Sequence, residues 1–139
     1  MAKLLLDVEE DYSYEVLGLV STAKSYRLCW TVNKLLGVDL KRAEDITIFN
    51  KKRASGYHAC YTFYDESFHV KYRLVENKRR GSYFLPEIEK ADYLLVLDEN
   101  EEVPLDLLRE KLKASSMIQL TFRVDLKELK SKQNILLSA

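Results

Sequence analysis

The side chains that could support catalysis or metal binding are few and widely spaced in this sequence. There are two histidines, His58 and His69, and two cysteines, Cys29 and Cys60. A zinc site would need three or four such side chains to converge on one ion at about 2.0–2.3 Å. Alternation places His58 and Cys60 on one face of a predicted strand, with His69 displaced along the next strand. The sequence therefore predicts no metal site and no bound cofactor.

Two carboxylates, Glu87 and Asp92, precede an apolar strand pattern and invite an acid–base interpretation. They are five residues apart, a spacing that does not bring side chains together on a short helix. A glutamate at a helix start is favoured by the helix dipole, and an aspartate at a turn accepts backbone hydrogen bonds. With only four glycines, the chain shows no phosphate loop, dinucleotide-binding pattern or nucleophile elbow. We therefore predict no catalytic residue and interpret Pro86, Glu87 and Asp92 as a structural corner.

Six cations fall in two clusters, one before and one after a predicted β-hairpin. They are Lys51, Lys52, Arg53, Lys78, Arg79 and Arg80. The strand pairing brings both clusters to the open end of the hairpin, and we call the six residues the basic rim. Such a rim suits an acidic partner, namely RNA, an anionic carrier protein or a phosphorylated ligand. The alternative interpretation is two solvated loops that keep a neutral protein soluble.

The formal net charge is zero, which argues against a general nucleic-acid binder. The charges are nevertheless segregated: residues 41–80 carry ten Lys/Arg against five Asp/Glu, and the remainder carries twelve against seventeen. No stretch resembles a signal peptide or approaches the ~20 apolar residues that a membrane helix needs. We therefore expect a cytoplasmic protein whose two cysteines are reduced and which makes no membrane contact.

Hydrophobic periodicity predicts the elements that position these groups. The 139 residues indicate a single α+β domain with a mostly antiparallel sheet of five or six strands and two main helices on one face. The helices are predicted over 25–36, with Ser25 as N-cap and Gly37 as the terminating residue, and over 104–114. The strands include 57–64, 67–75, 93–97 and 117–124, with another predicted over 3–8. Whether residues 16–20 form a strand or a packed loop stays open.

The hairpin register follows from keeping the large apolar groups on one face. It pairs Phe63 with Phe68 and Tyr61 with Val70, and it leaves the histidines on the outer face. A two-residue turn at Asp65–Glu66 or a four-residue loop closed by the two phenylalanines keeps the same pairing. The predicted core consists of Leu28, Val32, Leu36, Tyr61, Phe63, Val70, Tyr72, Leu94, Val96, Leu108, Leu120 and Phe122.

The corner also carries a family resemblance. Residues 85–93 read Leu-Pro-Glu-Ile-Glu-Lys-Ala-Asp-Tyr, which resembles the signature of the bacterial IPExxxVDY family with Leu85 in place of Ile and Ala91 in place of Val. Residues 14–19 (Tyr-Glu-Val-Leu-Gly-Leu) and 26–30 (Tyr-Arg-Leu-Cys-Trp) are similar to the same family. The resemblance implies a small cytoplasmic bacterial protein. It brings no substrate, cofactor or catalytic residue, because the family name records a sequence pattern alone.

Together these features favour a non-enzymatic binding or interaction protein that contacts an acidic partner, protein or RNA, through the basic rim. Two alternatives stay open. One is a small enzyme whose carboxylates or histidines converge only in the fold. The other is a homodimer that hides a sheet edge by pairing with a second copy.

Overall fold

The computed structural model describes residues 14–50, 53–127 and 129–137, with backbone alone at positions 50, 53–55, 132, 136 and 137. In chain order the elements are β1 (Tyr14–Val20), α1 (Ser25–Leu36), β2 (Lys41–Arg42), β3 (Ile46–Asn50), β4 (Arg53–His58), β5 (Cys60–Asp65), β6 (Val70–Glu76), β7 (Lys78–Arg79), β8 (Ser82–Tyr83), a 3₁₀ helix (Pro86–Ile88), β9 (Tyr93–Asp98), α2 (Leu105–Leu112), β10 (Leu120–Val124), a second 3₁₀ helix (Lys130–Lys132) and α3 (Gln133–Leu137). No helix among these is long and apolar enough to cross a membrane.

The α+β class is confirmed. Six antiparallel strands form one sheet in the order β10-β1-β9-β6-β5-β2, while β3–β4 and β7–β8 form separate two-stranded ladders. The 3₁₀ turn at Pro86 leads into β9, which pairs with both β1 and β6 and is buried along its whole length. The segment 16–20, whose structure the sequence left open, lies inside strand β1. The strand predicted over 3–8 lies outside the described residues.

Both faces of the sheet are covered, which explains why β9 is apolar without alternation. On one side α1 and α2 pack over a helix-side core whose members include Leu28, Val32, Tyr72, Leu95 and Leu108. On the other side the β3–β4 hairpin, the corner and the C-terminal helices pack over an opposite core whose members include Val75, Phe84, Leu94, Val96 and Ile135. Cys29 lies in the helix-side core and Cys60 in the opposite core, and both are free thiols.

The predicted hairpin register is wrong, although the predicted faces are right. The structure pairs Phe63 with Tyr72 and Asp65 with Val70, so the loop covers residues 66–69. The Asp65 carboxylate accepts hydrogen bonds from the backbone N–H groups of Ser67 and Phe68, at 2.9 and 3.2 Å, and His69 adopts a positive φ of 53°. This loop chemistry stabilises a wider turn than the predicted one. The shift of four residues is even, so each side chain keeps its face.

The first predicted hairpin strand is in fact two strands. It divides at Ala59, where the chain leaves the β3–β4 ladder and enters the central sheet as β5. As a result His58 is fully buried under the β7–β8 ladder instead of lying on an outer face, and Tyr57 is exposed. The open end of the hairpin, where the basic rim was predicted, therefore belongs to a different ladder.

The helix boundaries and the core agree closely with the prediction. Gly37 ends α1 with φ 67° and donates its N–H to the Asn33 carbonyl at 2.9 Å. The predicted N-cap is wrong: Lys24 occupies that position, and the Ser25 hydroxyl instead lies 3.0 Å from the Tyr61 hydroxyl. The confirmed core residues are Leu28, Val32, Tyr61, Val70, Tyr72, Leu94, Val96 and Leu108. Leu36, Phe63 and Phe122 are half-buried against the two cores. Leu120 is 40% exposed, contrary to prediction, because it begins an edge strand.

Candidate functional site

The described residues of the predicted basic rim belong to two short ladders. Lys51 and Lys52 lie outside the described residues, and Arg53 begins β4, where only its backbone is described. Lys78, Arg79 and Arg80 belong to β7 and the turn that follows it. Strand β4 contacts both β7 and β8, so the strand that begins at Arg53 packs beside the strand of Lys78 and Arg79.

Two of the rim cations neutralise carboxylates of the protein itself. The Lys78 Nζ atom lies 3.4 Å from Asp92 Oδ1. The Arg79 guanidinium lies 3.3 Å from Asp45 Oδ2 and 3.9 Å from Glu76 Oε1, and it also donates to a backbone carbonyl of β4 at 3.4 Å. These contacts hold β7 against β4, β6 and Asp45, the residue that precedes β3. Lys78 and Arg79 therefore serve the fold first, and they offer a partner less charge than the sequence suggests.

Two exposed aromatic side chains lie on the β3–β4 ladder. Phe49 is 65% exposed and Tyr57 is 54% exposed, in adjacent strands β3 and β4. The neighbouring Ile46 and Ile48 point the other way, into the opposite core. Arg80 is exposed at the β7–β8 turn beside β4 and forms no ion pair with a described residue. We call Phe49, Tyr57 and Arg80 the hairpin face.

The structure places His58 in a hydrogen-bonded contact that the sequence did not reveal. Its Nδ1 lies 2.8 Å from the Glu76 carbonyl oxygen and its Nε2 lies 2.9 Å from Ser82 Oγ. A carbonyl can only accept, so Nδ1 carries the proton. Burial lowers the pKa of His58, so the ring is neutral and its Nε2 accepts a hydrogen bond from the Ser82 hydroxyl.

A serine, a histidine base and an orienting carbonyl are the parts of a nucleophilic site. Here, however, the hydroxyl is packed against backbone: a Cβ added at Gly56 would lie 2.0 Å from Ser82 Oγ. The contact joins β4 to β8 and explains why position 56 is a glycine. We therefore interpret the His58–Ser82 hydrogen bond as a structural contact between β4 and β8. The other histidine, His69, lies in the exposed 66–69 loop, and no three His, Cys, Asp or Glu side chains of the described residues could hold a metal ion.

The buried His58 predicts a pH dependence of folding stability. Its folded pKa lies below the ordinary 6.5, so the unfolded chain binds a proton first as the pH falls. The free energy of unfolding should be nearly constant between about pH 7 and 8 and fall below about pH 6.5, by at most about 1.4 kcal/mol per pH unit. Urea unfolding between pH 5 and 8 measures this slope, which His58→Gln should reduce. The matched control His69→Gln keeps His58 in place and should retain the wild-type slope; equal slopes in wild type and His58→Gln would contradict the assignment.

The two carboxylates of the predicted corner, Glu87 and Asp92, contact two different parts of the chain. Pro86 occupies the first position of the 3₁₀ helix. Glu87 accepts hydrogen bonds from the Ser131 N–H and hydroxyl. Burial acts to raise the pKa of Glu87, but these hydrogen bonds outweigh it and lower the pKa. Asp92 accepts the Ser21 N–H at 2.8 Å, at the end of β1. The two carboxylates therefore serve separate contacts and do not form one acid–base site.

The centre of the corner is a residue that sequence reasoning missed. Asn77 is fully buried, and its amide donates to the carbonyls of Ile88 and Ala91 at 2.9 and 2.8 Å. Its side-chain oxygen accepts the Leu85 N–H at 2.7 Å. One side chain thus closes the whole 85–91 turn, eight or more residues away in the sequence.

Helix α1 presents a second surface that was missed. Tyr26 is 62% exposed and Trp30 is 64% exposed, one helical turn apart. Lys24, Arg27 and Lys34 are exposed around them, and the Lys34 Nζ lies 4.8 Å from the centre of a Trp30 ring. None of the three cations forms an ion pair with a described residue. We call these five residues the α1 face; the absence of any acidic residue between positions 24 and 36 was the signal for it.

A cavity of about 340 Å³ lies between β1, β10 and the start of α2. Its polar lining includes Glu15 and Arg123, which form an ion pair of 3.7 Å. Glu15 also accepts a hydrogen bond from Asn100 at 2.7 Å. The carboxylate in this cavity is therefore already held by the protein, and the cavity provides a weaker candidate site than either exposed surface.

Comparisons with known proteins do not add a functional assignment. No protein-family model matches this chain, and no curated protein matches it either. Membership of the IPExxxVDY family therefore stays a prediction that rests on the residues of the corner and of the 14–40 segment.

Proposed function

We propose that this chain is a non-enzymatic binding protein that contacts an acidic partner, a protein or an RNA, through the hairpin face. The observation that carries the proposal is the pair of exposed aromatic side chains, Phe49 and Tyr57, on a ladder whose strand β4 contacts β7 and β8, and the turn between β7 and β8 carries the exposed cation Arg80. Aromatic rings next to cations are the groups that anchor protein interfaces and that stack on unpaired bases. Lys51, Lys52 and Arg53 adjoin this surface in sequence and complete the proposed binding site.

The structure changes which cations should be tested. Reversing the charge of Arg79 would place a new carboxylate beside Asp45 and Glu76, and the resulting repulsion would damage the fold as well as the surface. Lys78 has the same disadvantage because it balances Asp92. The informative substitutions are therefore Lys51→Glu, Lys52→Glu and Arg80→Glu in one variant, with Phe49→Ser and Tyr57→Ser in a second.

The proposal predicts a partner that is lost from both variants. In a pull-down from the native cell, the partner should be recovered with the wild-type bait and reduced roughly tenfold or more with either variant. A matched control, Lys111→Glu with Lys113→Glu and Lys130→Glu, changes the same charge elsewhere and should retain it. Recovery should fall steeply between about 50 mM and about 500 mM salt. Loss on ribonuclease treatment would identify RNA, and persistence would identify an acidic protein; the same partners on all baits would contradict the proposal.

We also propose that the protein acts in the bacterial cytoplasm, as the family resemblance implies. Both cysteines are free and lie in separate cores, which agrees with a reducing compartment.

A further inference from the structure

The helical side of the molecule carries two exposed surfaces of opposite charge. One is the α1 face, with its two aromatic rings and three cations. The other is the loop between β9 and α2, where Glu99, Glu101 and Glu102 are exposed and Leu107 of α2 is 48% exposed. We call these four residues the acidic face. None of its three glutamates forms an ion pair with a described residue.

Both surfaces point away from the same side of the sheet. Helices α1 and α2 contact each other, and Leu28 and Val32 of α1 share the helix-side core with Leu108 and Leu112 of α2. Their outer surfaces therefore form one layer with a basic, aromatic part and an acidic part. Within one molecule the described residues show no ion pair between the two parts, so the complementary charges are available to another molecule.

We propose that the α1 face of one copy docks on the acidic face of a second copy, giving a two-fold symmetric dimer. When two such layers meet about a two-fold axis that lies between the two parts, each basic part faces the partner's acidic part. Both contacts are then made at once, and the assembly closes. The neutral total charge fits this arrangement, because each chain contributes three cations and three glutamates to the proposed interface. This interface is separate from the hairpin face, which lies on the other side of the sheet.

The composition of the α1 face suits an interface anchor. Trp, Tyr and Arg are the residue types that contribute most binding energy at protein interfaces, and Tyr26, Arg27 and Trp30 occupy successive exposed positions on one helix. Docking would cover these rings and the partner's Leu107, while Lys34 and the glutamates form the charged surround. Exposed charges steer association and are screened by salt, so the dimer should weaken as ionic strength rises.

A charge-swap experiment tests this arrangement. One variant carries Arg27→Glu and Lys34→Glu, and the other carries Glu101→Lys and Glu102→Lys. Sedimentation velocity at about 50 mM salt should show a dimer for wild type and a dissociation constant raised roughly tenfold or more for each variant alone. An equimolar mixture of the two should form a heterodimer, because each contact again joins opposite charges.

Trp30 provides a second measurement, since it is the only tryptophan of the chain. Its emission should move to shorter wavelength as the protein concentration rises through the dimerisation range. The matched control Arg80→Glu with Lys130→Glu reverses two charges on the opposite side and should dimerise like wild type, even though it alters the hairpin face. A wild type that stays monomeric at about 50 mM salt, a dimer that survives both reversals, or folded variants that fail to associate when mixed would each overturn the proposal.

Discussion

Replacing Asp98 with alanine should lower the free energy of unfolding by about 3–5 kcal/mol. The Arg73 guanidinium is fully buried, and its Nη2 and Nε lie 2.9 and 3.3 Å from Asp98 Oδ1. Its Nη1 donates to the Ile135 carbonyl at 3.1 Å. Without the carboxylate, the permanent positive charge of Arg73 stays in the core and loses both of its charge-assisted hydrogen bonds to Asp98, so the cost exceeds that of one neutral hydrogen bond.

Chemical denaturation of two variants separates this explanation from simple loss of packing. Asp98→Ala should show the full loss, whereas the double variant Arg73→Met with Asp98→Leu should recover most of it, because it removes both charges and keeps apolar volume. Hydrogen exchange in α3 should also accelerate in Asp98→Ala, since Arg73 ties that helix to β6 through Ile135. A loss below about 1 kcal/mol for Asp98→Ala would contradict the prediction, because it would show that the charge of Arg73 stays compensated without this carboxylate.

Replacing Asn77 with alanine should cost about 3–5 kcal/mol, because three backbone groups of the corner lose their partners together. These are the Leu85 N–H and the carbonyls of Ile88 and Ala91, and Asn77 itself is fully buried. Urea unfolding measures the loss. The matched control is Asn134→Ala, which removes one hydrogen bond of 2.6 Å to the Phe84 carbonyl from a half-buried residue and should cost about 1 kcal/mol. Equal losses in the two variants would show that the corner reorganises around the missing amide.

The features that the sequence predicted well are those that depend on near neighbours. Gly37 ends α1, and Pro86 begins the turn into β9, because each conformation is a property of a few adjacent residues. The alternation in β5 and β6 placed their side chains on the correct faces. Their register was wrong because the Asp65 carboxylate and the positive φ of His69 select the loop, and hydrophobic alternation is indifferent to a shift by an even number of residues.

The candidate sites were harder to predict because their contacts join distant segments. Arg79 and Asp45 are 34 residues apart, and His58 and Ser82 are 24 apart, so neither pair leaves a pattern in the sequence. The rim was therefore predicted with more available charge than the structure shows. The α1 face differs, since its cations and rings lie within eleven consecutive residues. Hydrophobic periodicity identifies the core side of that helix and carries no information about what its outer side contacts.

The two cysteines lie beneath different layers of the protein, Cys29 under the helices and Cys60 under the β3–β4 hairpin. Burial raises the pKa of Cys29 to about 11 and also raises that of Cys60. Each thiol is therefore protonated and unreactive while the layer that buries it stays folded. Lifting the helices would release the first thiol, and detaching the hairpin would release the second. Each side of the sheet thus has one cysteine that reports its opening. The order in which a thiol reagent labels Cys29 and Cys60 shows which side opens first.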